Sequence, residues 1–242
     1  MDIEINKILI LSAYTKEVIW NNYGKCDFGE VATINHKEYA ETHGYSYHCE
    51  IVDETNFPDM HPTWVKIYVI RKFLELYDYV VWLDADAIYL NKNLSIFDIV
   101  KDSETNLIVP KADLDIENDI VWTGISTGFM IFKNTQWSIE LLDSMINYNG
   151  HLKANNGFHE QEYLSNLILN LYVSENPSAD TVWYKSKIDL VETKLIAGGM
   201  IEILPYRYHR TYNYLETDYI FHAAGNTPTK LERIKEALGL AW

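Results

Sequence analysis

Tyr79-Val-Val-Trp-Leu83, with Asp84-Ala85-Asp86 directly after it, is the stretch that decides how this chain folds. Five consecutive apolar residues with two adjacent valines have strand length and leave neither face for water, so they predict a strand buried on both sides. Upstream, Lys7 to Ala13 is a second apolar run of strand length, and Val31 to His43 reads as a helix. Ser46 to Val52 alternates Tyr47, Cys49 and Ile51 as a short strand. Pro62 stands where a helix opens, and that helix is expected to run to about Tyr77. The resulting β-α-β-α-β order predicts an α/β protein with a Rossmann-like, mostly parallel central sheet flanked by helices. Ligands of such sheets bind beyond the carboxyl ends of the strands, which directs attention to the residues just past Leu83.

The second half is less regular. Asn106 to Val109 and Gly128 to Phe132 read as strands, Thr135 to Tyr148 as a capped amphipathic helix, and Gly157 to Tyr172 as another helix. Leu190 to Leu204 holds one or two short strands and Tyr219 to Phe221 a last one. Thr227 is expected to cap a closing helix that begins at Pro228 and carries Leu231, Ile234 and Leu238 on one face. No repeat, low-complexity tract or linker interrupts the chain. Residues 1–242 are therefore read as one domain, in two halves of about 1–105 and about 106–242.

Twenty basic against thirty-five acidic side chains leave a net charge of −15, which argues against a nucleic-acid or anionic-membrane partner because either needs a basic footprint. The same charge makes a phosphate-ester site anomalous unless a cation is brought in. Cys26 and Cys49 form neither a disulfide framework nor a metal-ligand pair. The first apolar run is too short and too acidic at its start for a signal peptide, and no stretch has spanning length. A soluble or cytoplasmic protein is expected, of bacterial or viral origin or an excised domain.

Asp84 and Asp86 lie two residues apart where a buried strand surfaces, and both reach one site only if the chain turns there. Mg²⁺ or Mn²⁺ is the natural occupant, a hard cation bound by carboxylates and by a substrate's own phosphates. A bare D-x-D also reads as a solvated turn or a helix cap; the wholly apolar strand before it separates this pair from those. Lys66 shares a helix face with Ile70, Phe73 and Tyr77, so its ammonium either snorkels to water or meets an anion. Glu160 lies one turn upstream on the stripe of Leu164, Leu167, Ile168 and Leu171, with Gln161 beside it, and reads either as a dipole partner or as a catalytic group. His222 ends a short apolar strand ahead of Ala223-Ala-Gly225, available as a third metal ligand or as a structural histidine.

Four stretches, in order, resemble the family of retaining galactosyl-, mannosyl- and xyloglucan xylosyltransferases with the GT-A fold. They are Trp64-Val-Lys-Ile67 with Val81-Trp-Leu-Asp-Ala-Asp-Ala87; Trp122-Thr-Gly-Ile-Ser-Thr-Gly-Phe129 continuing to Asn134-Thr-Gln-Trp-Ser138; His159-Glu-Gln161; and Phe221-His-Ala-Ala-Gly225. The resemblance implies that Asp84, Asp86 and His222 hold Mn²⁺ (or Mg²⁺) against a UDP-sugar diphosphate. It places Ser12, Ala13 and Tyr14 at the base and ribose. Lys66, Ala85, Ser126, Thr127 and Gly225 complete the donor contacts, and Glu160 and Gln161 stand at the reacting face. An oligosaccharide or glycoconjugate is the implied acceptor, with galactose or xylose favoured as the sugar. Three positions depart from the family: Ser126 where it has Asn, His159 where it has an acid, and Thr227 where the plant members have Lys. Two rivals remain at this level, a nucleotidylyltransferase-type enzyme and a sugar-binding module without catalysis. Against the first, Ser12-Ala-Tyr-Thr15 lacks the glycines of a phosphate loop.

Overall fold

The computed structural model of the chain describes residues 7–15, 17–18, 24–25, 27–53, 56, 60–112, 124–148, 159–175, 194–205, 208–209, 211, 214–224 and 229–240. Strand β1 spans Ile8–Thr15, the short strands β2 and β3 span Glu17–Val18 and Gly24–Lys25, helix α1 spans Asp27–His43, and β4 spans Ser46–Val52. A 3-10 turn at Pro62–Trp64 leads into α2, Val65–Leu74, and then β5, Tyr79–Leu83. β6 is Ala87–Tyr89, α3 Ile96–Val100, β7 Leu107–Pro110, β8 Phe129–Lys133, α4 Gln136–Ile146 and α5 His159–Glu175. β9 (Lys194–Ile196), β10 (Ile201–Leu204), β11 (Ile220–His222) and α6 (Lys230–Ala237) complete the order.

Seven strands form one sheet in the order β4-β1-β5-β8-β7-β10-β9. β1 pairs in parallel with β4 and β5, and β7 with β10, whereas β8 runs antiparallel to β5 and β7, and β9 to β10. Five strands thus point one way, so the sheet is mostly parallel, as expected. β5 sits third in this order, and all five of its residues are buried, which is what its unbroken apolar run requires.

The two faces are covered by different helices. Leu9, Leu11, Val80, Trp82, Met130 and Phe132 pack on one side against α2, α4 and α5. Ile8, Ile10, Val81, Leu83, Phe129 and Ile131 pack on the other against α1 and α3. A third, smaller cluster joins α1 to the two-stranded sheet β6-β11 and to Ile234 of α6.

Some elements depart from their expected bounds. α2 ends at Leu74, earlier than Tyr77, and its opening turn is 3-10, capped by His61 accepting from the Thr63 amide. The described part of α6 begins at Lys230 after Thr229, with no side-chain cap; the cap expected at Thr227 and the start at Pro228 lie outside the described residues. Thr135 does cap α4, accepting from the Ser138 amide. No described helix is long and apolar enough to cross a membrane.

His36 of α1 shows how tightly this helix is seated. Its Nε2–H donates to the Ala87 carbonyl at 2.6 Å, the ring is fully buried, and burial lowers its pKa to about 4, against a smaller opposing effect of that hydrogen bond. Between about pH 6.5 and about 4 the unfolded chain therefore binds a proton that the folded chain refuses. Stability falls as pH drops through that window, by about 1.4 kcal/mol per unit for this one group. Urea unfolding at pH 7 and pH 5 is expected to show the stability gap between wild type and His36→Gln shrinking at the lower pH.

Candidate active site

The backbone after β5 brings three donor side chains together. The Asp84 amide donates to the Gly128 carbonyl at 2.9 Å, carrying the strand pairing one residue further, and the Ala87 amide then donates to the Asp84 carbonyl at 3.0 Å. The chain reverses within that turn, as the spacing of the two carboxylates demands. β6 leaves the turn antiparallel to β11, in a register that sets Ala87 opposite His222. His222 Nε2 lies 2.9 Å from Asp86 Oδ1 and 3.8 Å from Asp84 Oδ2. Among the described residues, Asp84, Asp86 and His222 each offer a ligand atom within 4.8 Å of the others, a set able to hold a divalent ion.

Lys66 is locked behind this group. Its Nζ lies 2.8 Å from Asp84 Oδ1 and 3.0 Å from Glu160 Oε1, and it donates to the Thr127 carbonyl at 3.4 Å. Burial alone would lower the Lys66 pKa, but the two carboxylates outweigh it and hold the ammonium charged. Burial likewise pushes the Glu160 carboxyl up, and the Lys66 charge reverses that and keeps it below the usual range. Trp82 Nε1 donates to the same Asp84 Oδ1 at 2.6 Å. With Oδ1 held by two donors, Oδ2 is the oxygen left facing His222.

The floor of the site is built from Ser126 to Gly128, just ahead of β8, and from α5. The Thr127 hydroxyl lies 3.0 Å from Glu160 Oε1 and 3.2 Å from Gln161 Oε1, while the Thr127 amide donates to Gln161 Oε1 at 3.0 Å. Ser126 Oγ accepts from the Gly128 amide at 3.3 Å. A Cβ at Gly128 would stand 2.8 Å from ring atoms of both His209 and His222, so glycine is what lets two imidazoles sit against this strand. His209 is fully buried, with ring centroids 4.7 Å from His222; burial and then its neighbour's charge hold its pKa well below the ordinary value.

Lys230, the first residue of α6, closes the group from the opposite side, its Nζ in close contact with Asp86 Oδ2. Asp86 is buried; burial would raise its pKa, but Lys230 and His222 hold it well below the carboxylate range. A cavity of about 270 Å³ opens beside these residues. Of the side chains anticipated from sequence, Ala13, Tyr14, Lys66, Asp84, Ala85 and Asp86 line it. Ser12, Ser126 and Thr127 are buried and are not among its lining residues; Glu160, also buried, reaches the site through Lys66. Gly225 lies outside the described residues.

Trp82, Lys230 and His209 were not anticipated. Lys230 left a signal: a lysine opening a helix stands at the positive end of the helix dipole, where a cation is disfavoured unless something else holds it. His209 left none, because the segment around it carries no readable periodicity.

Residues 5–109 match the galactosyl transferase GMA12/MNN10 family, which bears out the family resemblance over that part of the chain. The xyloglucan 6-xylosyltransferase 1 of Arabidopsis thaliana is 26% identical over 117 residues, which are 46% of this chain and 24% of that protein. A probable glycosyltransferase 6 of Oryza sativa subsp. indica is 27% identical over 115 residues, 46% of this chain and 23% of the relative. The match thus takes in less than a quarter of either plant protein's length. Among solved structures, a glycosyltransferase involved in the glycosylation of the major capsid of PBCV-1 superposes with a TM-score of 0.61, at 15% identity, over 97% of this chain and 100% of that one. The fold is that of GT-A glycosyltransferases. All three proteins are named as glycosyltransferases, and the family match ends before Ser126, Glu160 and His222.

Proposed function

We propose that this chain is a divalent-metal-dependent glycosyltransferase that moves a sugar, galactose or xylose first among the candidates, from a UDP-sugar to a hydroxyl of a glycan acceptor with retention of configuration. The observation that carries this reading is the convergence of Asp84, Asp86 and His222 beside a cavity at the end of a buried strand. Two carboxylates and an imidazole are a donor set that suits Mn²⁺, and Mg²⁺ through its oxygens. A bound ion there supplies a positive charge that stabilises the departing diphosphate. It also answers the charge problem of a chain with fifteen excess negative charges.

The remaining roles belong to the chain's own side chains. Ala13 and Tyr14 border the base and ribose, with the Tyr14 ring seated over Gly29, where a Cβ would stand 2.8 Å from it. Lys66 and Trp82 fix Asp84 in one orientation before any ligand arrives, so little reorganisation is left for the reaction itself. Lys66 and Ala85 line the donor side of the cavity, with the Thr127 carbonyl behind them accepting from Lys66. Glu160 and Gln161 bear on the reacting face. A double displacement needs a carboxylate free to attack, as in retaining glycosidases. Glu160 is buried, ion-paired with Lys66 and not among the residues that line the cavity, which favours attack of the acceptor on the face the diphosphate leaves, with Glu160 contributing charge.

Incubation with UDP-galactose or UDP-xylose, Mn²⁺ and a panel of glycans tests this, with chromatography of the nucleotide products. Free UDP is the expected product. Pyrophosphate would instead identify nucleotidyl transfer, and calorimetric binding of the UDP-sugar without UDP release on any acceptor would identify a binding module.

A further inference from the structure

Asp86 has both oxygens engaged: Oδ1 faces His222 Nε2 at 2.9 Å and Oδ2 is in close contact with Lys230 Nζ. Three carboxylates, Asp84, Asp86 and Glu160, thus face two ammonium groups: Lys66 is shared by Asp84 and Glu160, and Lys230 stands against Asp86, so each carboxylate a divalent ion would use already has a resident cation beside it. A divalent ion added there brings two charges where at most one carboxylate is left without a cation of its own. Either an anion must arrive or a resident cation must leave.

The two lysines differ in their freedom to leave. Lys66 sits on α2 with three acceptors around its ammonium and a side chain 7% exposed. Lys230 has a side chain 16% exposed and lines the cavity. It also opens α6, where the helix dipole opposes its charge and Thr229 offers no side-chain cap, so the helix itself gives no reason for a lysine there. Asp86 gives that reason.

We propose that Lys230 is the resident counter-cation of this site: it neutralises Asp86 while no divalent ion is bound, and is displaced toward the diphosphate in the neighbouring cavity when one binds. This rests on the reading of Asp84, Asp86 and His222 as ion ligands. The protein alone then binds the ion weakly, because each binding event expels an ammonium from a carboxylate. UDP strengthens ion binding, because its diphosphate receives that ammonium, and linkage requires the ion to strengthen UDP binding equally.

The test is titration with Mn²⁺, read as the electron paramagnetic resonance of the free ion, with and without UDP, on wild type, Lys230→Met and Lys230→Arg. Lys230→Gln, with a polar end, serves if the methionine variant does not fold by circular dichroism. Without UDP, Lys230→Met is expected to bind Mn²⁺ about tenfold more tightly than wild type, and the enhancement by UDP is expected to shrink by a similar factor. Lys230→Arg, which keeps the charge, is expected to stay near wild type. If removing the charge leaves Mn²⁺ affinity unchanged or weaker, Lys230 only anchors α6 and the proposal is wrong. If Mn²⁺ binds to no form of the protein, with or without UDP, the ion-ligand reading itself fails, an outcome distinct from the first.

Discussion

Alanine at both Asp84 and Asp86 is expected to lower sugar transfer by at least about 10³-fold, since a metal ion in this role is worth several kcal/mol and each 1.4 kcal/mol is about tenfold in rate. The fold is expected to survive. Lys66 keeps Glu160 as a partner at 3.0 Å, and Lys230, partly exposed, turns to water. The loss is therefore chemical and not a consequence of unfolding. UDP release measured beside a thermal melt separates the two, and a double variant that keeps wild-type turnover contradicts a metal-assisted transfer at this site. Asp86→Ala alone removes the oxygens that His222 and Lys230 now share, and Asp84→Ala the one held by Trp82 and Lys66. The two single variants remove ligands of one site, so their effects are expected to be far from additive.

Lys66→Met is expected to have the largest effect on stability. It strips the ammonium from Glu160, a side chain 4% exposed, and leaves a carboxylate buried with no counter-charge. Breaking a buried pair in this way costs about 3–5 kcal/mol. For a chain of this size the melting temperature falls by about 2–4 °C per kcal/mol, so a drop of roughly 6–20 °C is expected. Adding Glu160→Gln removes the orphaned charge, and the double variant is expected to recover part of the loss. The pH dependence carries a sign that mere loss of packing would not produce. In wild type the Glu160 pKa is held below its unfolded value, so its contribution is present above that value and is lost as pH falls through the folded one. In Lys66→Met, burial acts unopposed and raises the pKa, so the penalty is present at neutral pH and is relieved as pH falls. The stability gap between the two proteins is expected to narrow toward pH 4, and a gap that stays constant would mean Lys66 acts through packing alone. Glu160→Gln in the wild-type background bears on mechanism: nearly unchanged turnover would remove Glu160 from any role at the reacting face.

Much of this arrangement is legible in the sequence because it is dictated by burial. The unbroken run Tyr79–Leu83 admits one environment, the interior of a sheet, and that placed Asp84 and Asp86 at its carboxyl edge. Lys66 and Glu160 were readable as charges on apolar stripes; the structure shows that they meet each other as well as the site. What the sequence hides is pairing across distance. β8 inserts antiparallel between β5 and β7, although the run Gly128 to Phe132 says nothing of direction. β6, three residues long, is too short for any periodicity, yet its register with β11 is what carries His222 to Asp86 across 136 positions of chain. Lys230 was concealed for the same reason, since its partner lies 144 residues away and only its uncomfortable place at a helix start hints at one. Gly128 reads in sequence as the start of a strand within the stretch from Trp122 to Phe129, and its physical reason appears only with His209 and His222 packed against it.

The proposed chemistry stands or falls with Asp84, Asp86 and His222 gripping one divalent ion against the diphosphate of the donor. Crystals of the full chain grown with Mn²⁺ and UDP, measured for anomalous scattering at the manganese edge, probe this without an intermediate step. One strong peak is expected among Asp84, Asp86 and His222, in contact with the UDP phosphates. UDP bound in the cavity with no manganese at those three side chains, or manganese held elsewhere, would contradict it.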